Sequence, residues 1–303
     1  MSVDVLDRAC AGGAGLRDRA RRLIAPDSAL SLGLMLTLAL VVLYGPSAWY
    51  VRTPVVTAAL VGWLWPGALR SPLLWLMLTT ILAAGVYVQR FTIDNHQYLM
   101  VYWCGAIALT IDSADPAALK RNARLLVGLA FAFAAAWKWS SPEFVRGDFL
   151  EYEMLCDPRF AGFTELVTGL SKHALEGNRI AMQGLTGPIA TQTMATLTTV
   201  PAVAAIADAM TWSTLLLESW IAIAFLLPRA GVLGRYRDVP LLCFLLTTYS
   251  VATVPGFAYL LLVMGFVQCD RRRWWIPAGY LATVLIQQVF LLPLRRIAGA
   301  LFL

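Results

Sequence analysis

The feature that most constrains this chain is a succession of apolar runs. They are too long and too poor in charge for the surface elements of a water-soluble domain. Ala29 to Tyr44 is the first and is closed by Gly45-Pro46; Val55 to Trp65 is shorter and is closed by Pro66-Gly67. Pro72 to Val88, Tyr98 to Ile111 and Leu125 to Trp137 follow. After a polar stretch come Leu197 to Met210, Trp212 to Leu227, Val239 to Val267 and Trp274 to Leu292. A helix crossing the hydrocarbon core of a bilayer needs about 20 mostly apolar residues. Only 14% of the 303 residues are charged and the mean hydropathy is +0.68, whereas soluble domains carry roughly 25% charged residues. The runs therefore predict an all-α, polytopic integral membrane bundle of about seven to nine transmembrane helices. Val55–Trp65 is short for a span and reads as tilted or re-entrant. Val239–Val267 is too long for one span and too short for two with a loop, so Val254-Pro255-Gly256 is expected to break it. Leu197–Met210 carries Pro201 and Asp208 and reads as a further span or a broken half-helix.

Residues 1–27 are polar, with arginines and aspartates, and read as a cytoplasmic tail; 28–303 read as a single transmembrane domain. Within it, 140–195 is the longest polar stretch and is rich in acids. There Phe163, Leu166, Val167, Leu170 and Ala174 recur at helical spacing. They predict an amphipathic helix on the membrane interface or an extracytoplasmic cover over the bundle. The net charge of +6 comes from arginines clustered beside apolar runs, the distribution of cytoplasmic loop anchors rather than of a nucleic-acid surface. If Val55–Trp65 crosses, the tail, Arg70, Lys120–Arg124 and the Arg229–Arg237 loop share the cytoplasmic side. The Asn95-His96 turn and the acidic stretch then lie on the other. The expectation is a multi-pass protein of the cell membrane with its N-terminus inside. The five cysteines show no CxxC or metal-ligand spacing, so neither a zinc site nor a disulfide framework is expected.

A few ionisable residues interrupt this apolar background, and such residues in membrane segments are functional candidates by default. Lys138 ends the Leu125–Trp137 run, between Trp137 and Trp139. It either snorkels to the headgroups or turns inward, where desolvation favours a neutral amine able to act as base or nucleophile. His96 is one of two histidines. It is either a hydrogen-bonded structural anchor or a donor to a ligand oxygen, with Asn95 and Tyr98 placed to share that network. Glu218 sits inside an apolar run as a structural acid or a proton relay. Tyr249 and Tyr259 flank the expected break and are placed to line a cavity.

The run Asp94-Asn95-His96-Gln97-Tyr98-Leu99 resembles the Asn-His-x-Tyr-Leu motif of the vitamin K-dependent γ-glutamyl carboxylase and its bacterial relatives, the horizontally transferred transmembrane (HTTM) family. Ala134-Ala135-Ala136-Trp137-Lys138-Trp139, followed by Phe144-Val145-Arg146-Gly147 and Glu151-Tyr152, is similar to that family's lysine motif. The resemblance covers roughly residues 89–160, with a weaker match at Glu218 within Leu215-Leu216-Leu217-Glu218-Ser219-Trp220. It implies a membrane enzyme in which Lys138 deprotonates a reduced naphthoquinone, that is, vitamin K hydroquinone or menaquinol. The quinol anion then reacts with O2, and the strong base so formed removes a γ-proton from a glutamate that captures CO2. Asn95, His96 and Tyr98 would contact the quinone, and Trp137, Glu151, Tyr152, Glu218 and Tyr259 would line the cavity. The chain departs from the carboxylase in two places. A late-helix histidine of that enzyme falls at an apolar residue near Leu245, and the lumenal propeptide-binding domain has no counterpart. The expected reaction is therefore carboxylase- or epoxidase-like, on an unknown peptide, protein or small molecule. The alternative is a non-catalytic quinone- or lipid-binding protein, or an assembly partner. A transporter is less favoured, because no matched halves are visible.

Overall fold

The computed structural model describes residues 26–115, 117–186, 194–228, 231–252, 254–269 and 273–291. Residues 1–25 of the expected tail (1–27), Arg229, Arg271, Arg272, Leu292, Arg295 and Arg296 lie outside the described residues, while Pro26 and Asp27 open the first helix. Every regular element among those described is helical, as the apolar runs predicted. The chain falls into two compact units, one made of residues up to Val127 together with those from Val254 onward, the other of Gly128–Thr253.

The first unit holds α1 (Pro26–Tyr44), α2 (Trp49–Leu64), a 3-10 turn (Ala68–Arg70), α3 (Pro72–Val88), α4 (Asn95–Thr110), the start of α5 (Ala118–Ser140), α13 (Pro255–Gln268) and α14 (Trp275–Leu291). Its centre is α13, in which Gly256 and every residue from Ala258 to Gln268 are buried. A helix apolar on all sides must be covered on all sides, and α1, α4 and α14 pack against it. Two of its buried polar side chains are satisfied beside one another. Trp103 donates to Thr37 Oγ1 at 3.1 Å, and Thr37 donates to the Gly33 carbonyl at 2.8 Å.

The second unit holds the rest of α5, then α6 (Pro142–Val145), α7 (Asp148–Cys156), α8 (Ala161–Thr168), α9 (Lys172–Thr186), α10 (Pro201–Leu226), α11 (Val232–Arg235) and α12 (Asp238–Val251). The long helix α10 organises it. α6, α7, α8, α11 and α12 all pack against α10. The core joins Phe144, Leu150, Met154 and Phe160 to Leu170, Leu175, Val203, Ala207 and Leu215. Buried Asn178 clamps the irregular stretch before α10, donating to the Thr198 carbonyl (2.9 Å) and accepting from the Thr198 amide (2.7 Å).

Several boundaries differ from those expected. Val254-Pro255-Gly256 does separate two helices, α12 and α13. Pro201 breaks nothing: it sits at the first position of a continuous 26-residue helix, where its missing N–H has no role to fill. The single amphipathic helix expected over Phe163–Ala174 is instead two, because Gly169 takes φ +73° and terminates α8. Leu166 and Val167 of the expected apolar face point outward, whereas Leu170 is in the core. Asn95 and His96 form not a turn but the first residues of α4.

By length and composition, one helix among the described residues, α10, is long and apolar enough to cross a membrane. Shorter apolar helices of 10–17 residues cover Ser28–Tyr44, Pro72–Val88, Asp238–Val251, Pro255–Gln268 and Trp275–Gln287. Large apolar side chains face outward from both units, among them Leu64, Phe91 and Leu109 in the first and Phe133, Leu166 and Leu216 in the second.

Candidate functional site

Helix α5 ends just past Lys138 for a local reason. Ser141 precedes Pro142 and is held extended, as residues before proline usually are. The Ser141 hydroxyl then caps the single turn α6 by accepting from the Phe144 amide. That turn swings Phe144 back beneath Lys138, with Nζ 5.3 Å from the ring centroid. At Gly147 the chain takes φ +87°, and a Cβ there would collide with the Asp208 carboxylate. Only glycine lets α7 begin so close against α10.

Glu218 reaches the same place from α10. The buried positions Val203, Ala207, Thr211, Leu215, Glu218, Ala222 and Phe225 recur every three or four residues, which makes one inward stripe. Glu218 occupies a place in that stripe where an apolar residue would be ordinary. Lys138 Nζ donates to Glu218 Oε1 at 2.5 Å, and the two side chains are 18% and 5% exposed. One residue beyond, Trp139 donates to the Ser219 hydroxyl at 3.0 Å. The inward lysine, rather than the snorkelling one, is the geometry found. Glu218 Oε2 and the Thr211 hydroxyl are buried with no hydrogen-bond partner among the described residues.

Lys138 and Glu218 line a cavity of about 260 Å³. Its aromatic and aliphatic walls come from Phe144, Phe149, Leu150 and Phe160, and from Met210, Val251 and Ala252. Four hydroxyl-bearing residues also line it, Ser213, Thr214, Thr247 and Thr248. Ser213 and Thr247 already donate to backbone carbonyls, so their oxygens are left to accept. Apolar walls with a few convergent polar groups make up the usual ligand site. The cavity's paired amine and carboxylate can exchange a proton with a ligand held there.

The other residues singled out in the sequence are not among those that line this cavity. In the second unit, Trp137 is exposed, and Glu151 and Tyr152 lie on the outer side of α7, away from the cavity walls. Tyr249 is buried and meets Phe244 edge-on at 5.7 Å. In the first unit, His96 is buried with Nε2 3.1 Å from the Tyr44 carbonyl at the end of α1. Its ring lies directly over Gly256, where a Cβ would stand 2.5 Å from Nε2. Tyr259 stacks on Tyr44 with centroids 5.5 Å apart. His96 and Tyr259 thus join α1, α4 and α13 around one point. Asn95 is exposed, and Tyr98 donates to the Arg90 carbonyl at 3.2 Å. Sequence reasoning missed the hydroxyls of the cavity and Phe149, Phe160 and Met210. The usable signals were Thr214 one helical turn before Glu218, and the Thr247-Thr248 pair inside an apolar run.

A separate ionic group closes α7. Burial pushes the Glu153 carboxyl up to about 7; the hydrogen bond and charge of Asp157 add to the rise, and Arg159 opposes it. Burial also works against the Asp157 carboxylate, but hydrogen bonds from Arg159 and Glu153 outweigh it and hold Asp157 below its ordinary value. No group of three or more His, Cys, Asp or Glu side chains among the described residues is placed to hold a metal ion. Comparisons with family models, with curated proteins and with solved structures find no match to this chain.

Proposed function

We propose that this is a polytopic enzyme of the cell membrane that takes a proton from a reduced naphthoquinone at the Lys138–Glu218 cavity. Its reaction is oxygen-dependent and carboxylase- or epoxidase-like, with CO2 as a further co-substrate in the carboxylase form. The observation that carries this reading is the inward lysine held by a buried glutamate beside an apolar cavity. A lipid-soluble quinol fits those walls, and outward-facing Leu64, Phe91, Phe133 and Leu216 suit contact with lipid. At about 260 Å³ the cavity is just under the ~300–1,000 Å³ of drug-sized pockets. That is room for one ring system, with an isoprenoid tail left outside. Lys138 accepts the proton of a quinol hydroxyl, Glu218 fixes the amine in place, and the threonine hydroxyls orient the ring. The resulting oxyanion stays beside the lysine, whose positive charge stabilises it.

Purified protein in nanodiscs with menaquinol and O2 tests this. Wild type should oxidise menaquinol. Lys138→Ala should lose turnover by about 100-fold or more while still binding menaquinone. If Lys138→Ala does not keep its fold, the all-apolar Lys138→Met/Glu218→Leu pair replaces it. Unchanged turnover without the lysine sinks the enzyme reading. Menaquinone binding without any wild-type turnover favours a non-catalytic quinone-binding protein, a role that a lysine already paired with a carboxylate also allows.

A further inference from the structure

Both neighbours of Lys138 Nζ suit a cation. One is the Glu218 carboxylate at 2.5 Å, and the other is the Phe144 ring, whose centroid is 5.3 Å away. An ammonium group in that setting cannot accept a further proton by itself. The pair can, because one of its members is a carboxylate. Glu218 is 5% exposed at its side chain, and its Oε2 is buried with no hydrogen-bond partner among the described residues. A buried carboxylate with half of its acceptor capacity unmet is the member of the pair that gains most from becoming neutral.

We propose that Glu218 is the final acceptor of the substrate proton, with Lys138 as the relay; the proposal rests on reading the cavity as a quinol site. Nζ hands one of its protons to Glu218 Oε1 across the 2.5 Å contact. Thus freed, it takes the proton of the quinol hydroxyl that faces it. One substrate O–H bond breaks and one carboxyl O–H bond forms, and the N–H bond lost is replaced. Lys138 ends as it began, an ammonium, now beside the new oxyanion. Glu218 ends neutral. No oxidant is needed for this step, since no electrons leave the substrate. In this step Glu218 takes no proton from the substrate directly, although it lines the same cavity. It acts through Lys138 as a positioning and proton-holding residue.

Infrared difference spectra of the protein in nanodiscs, taken on adding menaquinol without oxygen, test the proposal. Wild type should gain the C=O stretch of a protonated carboxyl, and Glu218→Gln should lack it. Glu218→Gln should keep menaquinone binding but lose oxidation by about 100-fold or more. Glu218→Asp, which can still hold a proton, should recover part of that loss. A wild-type spectrum without the carboxyl band overturns the proposal, as does Glu218→Gln turning over within about threefold of wild type. If Glu218→Gln fails to bind menaquinone, the wild-type band and its presence or absence in Glu218→Asp decide the matter. Wild type that neither binds nor oxidises menaquinol defeats the quinol reading itself, a result distinct from any of these.

Discussion

Replacing Lys138 with methionine keeps the stem of the side chain and removes its charge. Glu218, 5% exposed, is then left in an apolar stripe between Leu215 and Ala222. It must stay charged without a partner or take up a proton. Starting from an ordinary glutamate value of about 4.5, holding that proton at pH 7 costs about 3.4 kcal/mol. The figure lies within the ~3–5 kcal/mol measured when one member of a buried pair is removed. The reverse change is milder. Lys138 is 18% exposed, so in Glu218→Gln the ammonium can turn toward water while the amide oxygen still accepts from it. That loss should be about 1–2 kcal/mol. The Lys138→Met/Glu218→Leu pair, which leaves no charge behind, should fall within about 1 kcal/mol of wild type. Denaturant titration in mixed micelles, followed by tryptophan fluorescence from the eleven tryptophans, measures all three. The signature is in the pH: the Lys138→Met penalty should shrink by roughly 2.7 kcal/mol between pH 7 and pH 5, because the proton becomes cheaper to hold. Lys138→Met within about 0.5 kcal/mol of wild type at pH 7, the usual range of surface changes, would refute the reasoning. So would a larger loss in Glu218→Gln than in Lys138→Met.

Two further predictions concern other parts of the molecule. Gly256→Ala places a Cβ 2.5 Å from His96 Nε2 and should cost about 1–3 kcal/mol; combined with His96→Ala, which empties that space, the loss should be less than the sum of the two, read by the same titration. Glu153 is held at about 7 against an ordinary 4.5, so the native state binds its proton better than the unfolded chain does. Its contribution is full below about pH 4.5 and is lost as pH rises through about 7, a change of up to about 3 kcal/mol. Glu153→Gln should flatten the stability–pH slope across that window, and an unchanged slope would show that the burial of Glu153 does not govern it.

The helices were legible where apolar length and breakers agree. Val254-Pro255-Gly256 separates α12 from α13 because a proline and a glycine fall together inside a run too long for one helix. Pro201 looked like the same signal and was not. A proline is a breaker only where a donor is needed, and nothing in its immediate neighbours says whether a helix has already begun. Gly169 was overlooked inside a helical period that reads smoothly across it, yet its left-handed backbone divides α8 from α9. The candidate site was legible one residue at a time. Lys138 and Glu218 each stand out as a charge in an apolar run, and His96 as one of two histidines, though it was expected in a turn rather than at a helix start. Their partners were not legible. The sequence left His96 either a structural anchor or a donor to a ligand, and named no partner; the structure places its Nε2 on the Tyr44 carbonyl, 52 residues earlier in the chain.

What the sequence determined by itself is what local physics dictates. Apolar runs with few charges have to satisfy their backbones internally, so they become helices. A charge within such a run has to find a partner, so Lys138 and Glu218 were marked in advance. Only the tertiary structure decided which partner each would find. Lys138 and Glu218 lie 80 residues apart, and no helical period links positions so distant. They meet because Gly147 lets α7 close against α10 and because the turn at Pro142 carries Phe144 beneath the lysine. The cavity beside them exists for the same reason. Its aromatic walls and its hydroxyls come from separate helices, and only the packing of those helices leaves a space between them.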